Sequence, residues 1–248
     1  MKNEELFSQQ SDWYAKFRPT YPPELYAYIL SYVTRRQTAW DCGTGNGQAA
    51  TILSGFFEKV LATDISPEQI SKANRLPNIE YLVSNEQVPF DSNTIDLITI
   101  AQAYHWLDWP GFYREANRVG TRDCVVAAWN YTCFYTGDAD VDQVIDRFHN
   151  EICGPYWDER RRYVEEKLET VSFDFEPLPS RVFRIDNEWL PEQVLGYFNS
   201  WSAVQQYIRK NGESPIDLIR EELIRHWGAN RTRPIHFPVY LRLGRVVK

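Results

Sequence analysis

The sequence contains few cysteines, and their spacing shows no metal or redox motif. The 4 cysteines among 248 residues occur singly, at Cys42, Cys124, Cys133 and Cys153. Metal and redox sites commonly use a C-x-x-C pair, and no such pair is present. The histidines show no metal-ligand grouping either. We therefore expect reduced structural thiols and no bound metal.

Long apolar runs are also missing from the sequence. No stretch of about 18 apolar residues, the length of a membrane-spanning helix, occurs anywhere. The polar segment Lys2–Glu5 lacks the apolar core of a secretory signal. These two absences lead us to expect a cytoplasmic protein with no membrane span.

Positive charge is scarce in this chain. The formal net charge is −7, and the densest basic run, Arg160–Arg162, is flanked by acidic residues. We interpret that run as a solvated helix face. Because nucleic-acid binding depends on neutralising phosphates, an acidic chain without a basic stripe is a poor candidate for it. A small-molecule ligand is favoured over DNA or RNA.

What the sequence does contain is an acid followed by alternate glycines. Asp41 closes an apolar stretch, and Gly43, Gly45 and Gly47 follow it. Glycine has no Cβ and permits positive φ, so a ligand can approach this backbone closely. A pyrophosphate here would be repelled by the Asp41 carboxylate, by roughly 3 kcal/mol per charge at about 5 Å and an effective dielectric constant of about 20. The pattern therefore favours a positively charged nucleoside.

A second acid ends the next apolar segment. Asp64 follows Lys59–Thr63, which is predicted to be a short buried strand. In a β-α-β unit, an acid at the tip of the second strand is placed to accept hydrogen bonds from ribose hydroxyls. Ser66 is predicted to cap the next helix, with Pro67 at its first position and Gln69 completing a capping box.

Segments typical of strands and helices alternate between residues 37 and 130, as a parallel sheet requires. Strands are predicted at 37–42, 59–64, 79–84, 95–101 and 123–130, and helices near 47–57, 67–75 and 109–118. Beyond Asn130 the pattern predicts helices at 141–152, 158–169, 191–200 and 202–210, a helix from Ser214 to Gly228, short strands at 171–176 and 181–186, and a last strand over 235–247.

Several segments in order resemble one enzyme family. Besides the glycine turn, they are Tyr14–Pro22, Asn85–Phe90, Asp96–Trp106 and Asn199–Gln205. Together they make the chain similar to the class I S-adenosylmethionine-dependent methyltransferases. More narrowly, the chain resembles the small-molecule branch that includes trans-aconitate methyltransferase-like proteins. A lone glycine-rich turn would be weak support, whereas an ordered series is specific.

The resemblance implies a Rossmann-like α/β fold. We expect a seven-stranded, mostly parallel methyltransferase sheet with helices on both faces and a helical insertion over the active site. Residues 1–130 would form an N-terminal cover and the cofactor-binding half, 131–212 the helical insertion or substrate lid, and 213–248 the final helix and strand. All three parts would belong to one compact domain.

S-adenosyl-L-methionine is the cofactor that the resemblance implies. Asp41 would face its positive charge, the glycines its methionine part, and Asp64 its ribose. Ser84 stands where relatives often carry an acid, so we assign adenine recognition to backbone groups or Asn85. The residues predicted to bind the cofactor are Tyr14, Arg18, Asp41, Gly43, Gly45, Gly47, Asp64, Ile65, Ser84, Asn85, Glu86, Ala101 and Gln102.

The acceptor is expected to bind under the insertion, whose many aromatic residues suit a water-poor cavity. The predicted substrate pocket consists of Tyr21, Trp106, Tyr156, Trp157, Arg160 and Trp201. A carboxylate acceptor needs no general base, whereas a hydroxyl or an amine would benefit from one. His105 is the predicted base for that case, and a packing role is its alternative.

Two other functions remain open from the sequence. A nicotinamide-dependent oxidoreductase also has a glycine-rich turn, although Asp41 and the alternate spacing argue against it. A protein that binds S-adenosylmethionine as a scaffold without turnover would keep the same acids and glycines. The sequence does not determine the acceptor or the oligomeric state.

Overall fold

The structure, a computed structural model, describes residues 19–248. Its first half alternates strands and helices, as the sequence predicts. The strands are β1 (Thr38–Cys42), β2 (Lys59–Asp64), β3 (Ile79–Val83), β4 (Ile95–Ala101) and β5 (Gly120–Tyr131). The helices are α1 (Pro23–Leu30), α2 (Gln48–Leu53), α3 (Pro67–Ser71) and α4 (Trp109–Val119).

The second half carries short helical elements and the antiparallel strands. The α-helices are α5 (Ala139–Arg147), α6 (Arg162–Glu165), α7 (Pro191–Asn199), α8 (Ser202–Asn211) and α9 (Arg220–Trp227). A π-helical turn (Phe148–Ile152) extends α5, and 3-10 turns form at Gly154–Tyr156, Glu159–Arg161 and Pro215–Leu218. The strands are β6 (Glu176–Leu178), β7 (Val182–Trp189) and β8 (Arg233–Arg245).

The sheet has the predicted, mostly parallel order with one correction at its edge. The parallel strands run β3-β2-β1-β4-β5, and β8 pairs antiparallel with β5. Both β6 and β7 then pair with β8, opposite residues 243–245 and 233–240 respectively. The seventh position of the sheet is therefore made of two strands rather than one. Residues 131–212, expected to form a helical insertion, supply both of them.

Two predicted elements of the second half are wrong. The charged helix expected at 158–169 is a 3-10 turn followed by the single turn of α6. The strand expected at 171–176 forms only from Glu176 onward. The alternation of Phe173 and Phe175 with polar residues reflects ring packing and not strand pairing. Phe173 packs on Tyr104 with ring centroids 5.8 Å apart, and Phe175 packs on Phe112 at 6.1 Å.

Apolar layers cover both faces of the sheet. On one face Trp40 packs against Phe112 of α4, with ring centroids 5.9 Å apart. On the other face Trp129 meets Tyr26 of α1 edge-on at 6.0 Å. Burial of each indole contributes roughly 4–6 kcal/mol before conformational entropy is subtracted. This packing holds the carboxyl ends of the strands in place.

The strand order places a crevice at one edge of the sheet. β1 lies between β2 and β4, so successive connections leave it in opposite directions. In open α/β sheets, ligands bind outside the carboxyl ends of the strands at this kind of reversal. Within residues 19–248, no helix combines the length and apolar character needed to cross a bilayer.

Candidate functional site

A cleft opens at the carboxyl ends of β1, β2 and β4, with about 780 Å³ of space when the part open to solvent is included. Clefts at this position of an open α/β sheet are the usual binding sites for small molecules. The lining residues are Cys42, Gly43, Gly45, Asp64, Ile65, Gln69, Ser84, Asn85, Glu86, Ala101, Gln102, Ala103, Trp106 and Leu107. The crevice predicted from strand order is therefore a real cavity.

The three glycines of the turn after β1 have different reasons to lack a side chain. All three have positive φ, with values of 69°, 57° and 82°. A Cβ on Gly43 would lie 2.6 Å from the Cβ of Ala103, and one on Gly47 would lie 2.3 Å from the Tyr81 hydroxyl. For Gly45 the nearest atom is 4.0 Å away, on Gln69, another cleft residue. Gly43 and Gly47 permit close packing, whereas Gly45 keeps the cleft open.

Asp64, the last residue of β2, is held by backbone donors at the cleft wall. Its Oδ2 accepts a hydrogen bond from the amide of Gly45 at 2.8 Å, and its Oδ1 accepts one from Ser66 at 2.9 Å. Burial raises its pKa, and these bonds oppose that rise. Two carboxylate oxygens offer about four lone-pair sites. Asp64 can therefore accept further hydrogen bonds from a ligand.

Asp41 does not face the cleft, contrary to the expectation from the sequence. Its side chain is fully buried, and its two oxygens accept hydrogen bonds from the hydroxyls of Thr44 and Thr99, at 2.6 and 2.7 Å. Burial raises the pKa of this carboxyl to about 6 against these lowering hydrogen bonds. Asp41 thus ties the glycine turn to β4 from behind the ligand cavity.

Known methyltransferases resemble this chain in sequence. Residues 40–128 match the methyltransferase domain family. A Dictyostelium discoideum protein named as a methyltransferase is 31% identical over 98% of this chain and 96% of its own length. The chain belongs to the class I S-adenosylmethionine-dependent methyltransferases. This assignment decides against the nicotinamide-dependent alternative.

Two further relatives agree with the assignment. A solved structure, described as a type II methyltransferase from Anaeromyxobacter dehalogenans, is 34% identical and has a TM-score of 0.86. The match covers 93% of this chain and 99% of the Anaeromyxobacter protein. A Saccharomyces cerevisiae protein named as an S-adenosylmethionine-dependent methyltransferase is 22% identical over 86% of the chain and 87% of its own length. The matches extend well beyond the segment that contains the glycine turn.

Most residues predicted to bind the methyltransferase cofactor line the cleft. These are Gly43, Gly45, Asp64, Ile65, Ser84, Asn85, Glu86, Ala101 and Gln102. Asp41 and Gly47 are exceptions, because both lie behind the lining and serve packing or hydrogen bonding. Tyr14 and Arg18 lie outside the described residues. Cys42, Gln69, Ala103 and Leu107 also line the cleft, and the sequence analysis missed them.

The predicted adenine loop is braced by its own polar groups. The Ser84 hydroxyl donates to the carbonyl of Gln87 at 2.7 Å, and Asn85 Oδ1 accepts from the Gln87 amide at 3.0 Å. Glu86 Oε1 accepts from the amide of Asp108 at 3.0 Å, which joins the loop to the start of α4. The loop is therefore fixed against the cleft without an acid at position 84.

Gln102 contributes its backbone to the cleft, while its side chain extends the sheet. Its φ is 57°, in the left-handed region. Its Nε2 donates to the carbonyl of Tyr131 at 3.1 Å, and its Oε1 accepts from the Tyr131 amide at 2.8 Å. Both polar ends of the amide thus bind β5, as a neighbouring strand would. This pairing closes the space between the ends of β4 and β5.

His105 is buried beside the cleft and is a weak base. Its ring lies 4.9 Å from that of Trp106, and within residues 19–248 its buried Nδ1 has no hydrogen-bond partner. Burial, and then the charges of Arg161 and Arg160, lower its pKa to about 3. A group with so low a pKa takes a proton poorly from a hydroxyl or an amine near neutral pH. This environment argues against the predicted role as a general base.

The residues predicted for the substrate pocket fall into separate groups. Trp106 lines the cleft, and its carbonyl accepts a hydrogen bond from Arg160 at 2.6 Å. Trp157 and Trp201 pack on each other at 5.4 Å. Tyr21 packs on Trp129 at the N-terminal side, whereas Tyr156 contacts Tyr207 and Asn211 of α8 instead. Among the described residues, Trp106 is thus the member of this set that lines the cofactor cleft, and the shared pocket stays a prediction.

A polar cluster that the sequence analysis missed lies beside Trp157. Arg161 Nε donates to Glu165 Oε1 at 2.8 Å, and His149 Nε2 lies 3.5 Å from the same oxygen. Burial alone would raise the pKa of Glu165, but the neighbouring His149 and Arg161 lower it to about 2. The sequence signal was present, because Arg161 and Glu165 are four residues apart. In the sequence alone, the basic run and its acidic neighbours instead indicate a solvated helix face.

Proposed function

We propose that this methyltransferase transfers the methyl group of S-adenosylmethionine to an oxygen atom of a small organic molecule, and that the acceptor oxygen belongs to a carboxylate. The use of S-adenosylmethionine follows from the family. The nature of the acceptor rests above all on the burial of His105, which is 5% exposed and whose pKa is lowered to about 3 by that burial. The best placed histidine cannot serve as an effective base, so an acceptor that is already an anion suits this site.

The residues of the cleft fit the cofactor. Asp64 retains lone pairs that can accept hydrogen bonds from both ribose hydroxyls, and Ile65 offers an apolar surface beside it. Gly43 and Gly45 expose backbone at the same wall, where an amino-acid group can approach closely. The loop of Ser84–Glu86 borders the remaining side and suits an adenine ring. When bound here, S-adenosylmethionine supplies an activated methyl group on a positively charged sulfur.

The protein's own contribution to the reaction is positioning and exclusion of water. Holding the acceptor close and in line replaces an encounter between two free molecules, which supplies roughly 7–11 kcal/mol. Transfer to a carboxylate also removes one positive and one negative charge, so a site that excludes water favours it. Trp106 and Leu107 provide apolar wall at the open side of the cleft. The resemblance to the trans-aconitate methyltransferase-like branch supports the same acceptor class.

A labelled-methyl transfer screen tests this proposal. Purified protein is incubated with S-adenosylmethionine carrying a labelled methyl group and with carboxylic acids, phenols or amines. Methyl esters release methanol in mild alkali, whereas aryl ethers and methylamines do not, so alkali identifies the acceptor atom. We expect label in the acid panel that alkali releases. Label only on phenols or amines would contradict the proposal, and cofactor binding without transfer to any compound would favour a non-catalytic scaffold.

A further inference from the structure

We propose that Arg161 binds the methyl acceptor by its carboxylate, with Glu165 and Trp157 holding the guanidinium in place. This inference rests on the proposed function and deepens it, because it names the residue that selects an anionic acceptor. Arg161 lies in the 3-10 turn that precedes α6, and its guanidinium lies over the indole of Trp157.

The guanidinium of Arg161 is fixed at one end and open at the other. Its Nε is bonded to Glu165 at 2.8 Å, and its central carbon lies 4.7 Å from the centre of the Trp157 ring. Its side chain is only 19% exposed. Within residues 19–248, its two terminal nitrogens have no hydrogen-bond acceptor. A planar fork of this kind matches the two oxygens of a carboxylate.

The two neighbouring arginines are engaged differently. Arg160 donates to the carbonyl of Trp106 in the cleft wall, at 2.6 Å. Arg162 points outward, where its Nη2 donates to the hydroxyl of Tyr163 and its guanidinium lies over that ring. Of the three, Arg161 therefore combines partial burial with unfilled donors. It is the member of the basic run that an acceptor inside the protein could reach.

The turn Glu159–Arg161 packs against the 3-10 turn Tyr104–Trp106, whose last residue lines the cofactor cleft. The charge of Arg161 is one cause of the low pKa of His105, whose ring packs on Trp106 of the cleft wall. The unpartnered Nδ1 of that buried histidine is a second polar atom that an acceptor could bind. The positive charges of Arg161 and Arg160 both act on this histidine. An anionic group beside His105 would therefore be attracted by both arginines.

The experiment compares Arg161→Gln and Arg161→Lys with Arg162→Gln, an exposed neighbour, as the matched control. Calorimetry measures the binding of benzoate, cinnamate, hexanoate and glutarate, and of the corresponding amides, to protein saturated with S-adenosylhomocysteine. We expect wild type to bind at least one acid at least tenfold more tightly than its amide. Arg161→Gln should abolish that preference, Arg161→Lys should keep part of it, and Arg162→Gln should retain it. All variants should bind S-adenosylhomocysteine within twofold of wild type.

The possible failures are distinguishable. Equal binding of acids and amides by wild type overturns the inference even if no variant folds. An acid preference that survives in Arg161→Gln also overturns it, while leaving the proposed function intact. Alkali-labile methyl transfer with an unchanged KM in Arg161→Gln leads to the same conclusion. Absence of methyl transfer to every acid would instead count against the proposed function itself.

Discussion

Replacing Gly45 by alanine separates cofactor binding from backbone strain. The φ of Gly45 is 57°, so alanine there costs roughly 1–2 kcal/mol of stability. Its Cβ would meet no protein atom closer than 4.0 Å, and it would point into the cleft. Gly137 is a matched control, because its φ is 79° and nothing lies within 4 Å of its Cβ position. The two variants should be equally destabilised, but only Gly45→Ala should lose affinity for the cofactor.

The expected sizes can be measured by two assays. A loss of roughly 1–2 kcal/mol corresponds to a fall in melting temperature of about 2–8 °C for a chain of this size. A methyl group in space that the cofactor needs should weaken S-adenosylmethionine binding at least about tenfold, or about 1.4 kcal/mol. Scanning calorimetry gives the first quantity and titration calorimetry the second. Equal cofactor affinity in Gly45→Ala and Gly137→Ala would refute the assignment of this cleft.

Three further predictions concern buried groups. Because the pKa of Asp41 rises from 3.8 to about 6 on folding, its contribution to stability is full below pH 3.8 and is lost as pH rises through about 6. Relative to Asp41→Asn, wild type should therefore lose about 2 kcal/mol of its free energy of unfolding between pH 4 and 7 in urea unfolding, and parallel pH profiles would contradict this. The pKa of about 3 keeps His105 neutral near neutral pH, so its ring nitrogens should show no NMR titration between pH 5 and 8. A titration midpoint near 6.5 would show that burial does not control the pKa of His105. Gly47→Ala should destabilise more than Gly137→Ala, because its Cβ would lie 2.3 Å from the Tyr81 hydroxyl, and adding Tyr81→Phe should recover part of the loss in thermal unfolding. No recovery would mean that the clash is not with the hydroxyl.

The parallel half of the fold was predictable because its signals are local. β4 is buried along nearly its whole length, and its sequence is mostly apolar apart from Asp96 and Thr99. Ser66 accepts a hydrogen bond from the Gln69 amide, as the predicted cap requires. Asp64 lies at the tip of β2, where the position of the acid already indicates its place in the cleft. These features depend on residues close together in the chain.

The role of Asp41 could not be predicted in the same way. Its orientation depends on Thr99, which is 58 residues away and is brought beside it only by the pairing of β1 with β4. An acid next to three glycines is typical of a ligand contact, but the side chain points behind the turn. The position of Asp41 next to the glycines does not determine which way its side chain points in the folded protein.

The acceptor side was predicted less well because the local geometry departs from an α-helix. A regular helix over 158–169 would have repeated every 3.6 residues, whereas a tighter 3-10 turn over Glu159–Arg161 changes which side chain faces inward. The sequence suggests Arg160, Arg161 and Arg181 as partners of a carboxylate and places Arg160 in the predicted pocket, whereas Arg161 is the partly buried member of the basic run. The divided outer edge of the sheet also depends on tertiary pairing, since Pro177 fits only at an edge strand.

A crystal structure of the protein with S-adenosylhomocysteine tests the central claim most directly. We predict that the ligand occupies the cleft at the ends of β1, β2 and β4, with both ribose hydroxyls within hydrogen-bond distance of the Asp64 carboxylate. Its amino-acid part should lie against Gly43 and Gly45. A ligand bound elsewhere, or with its ribose away from Asp64, would contradict the account.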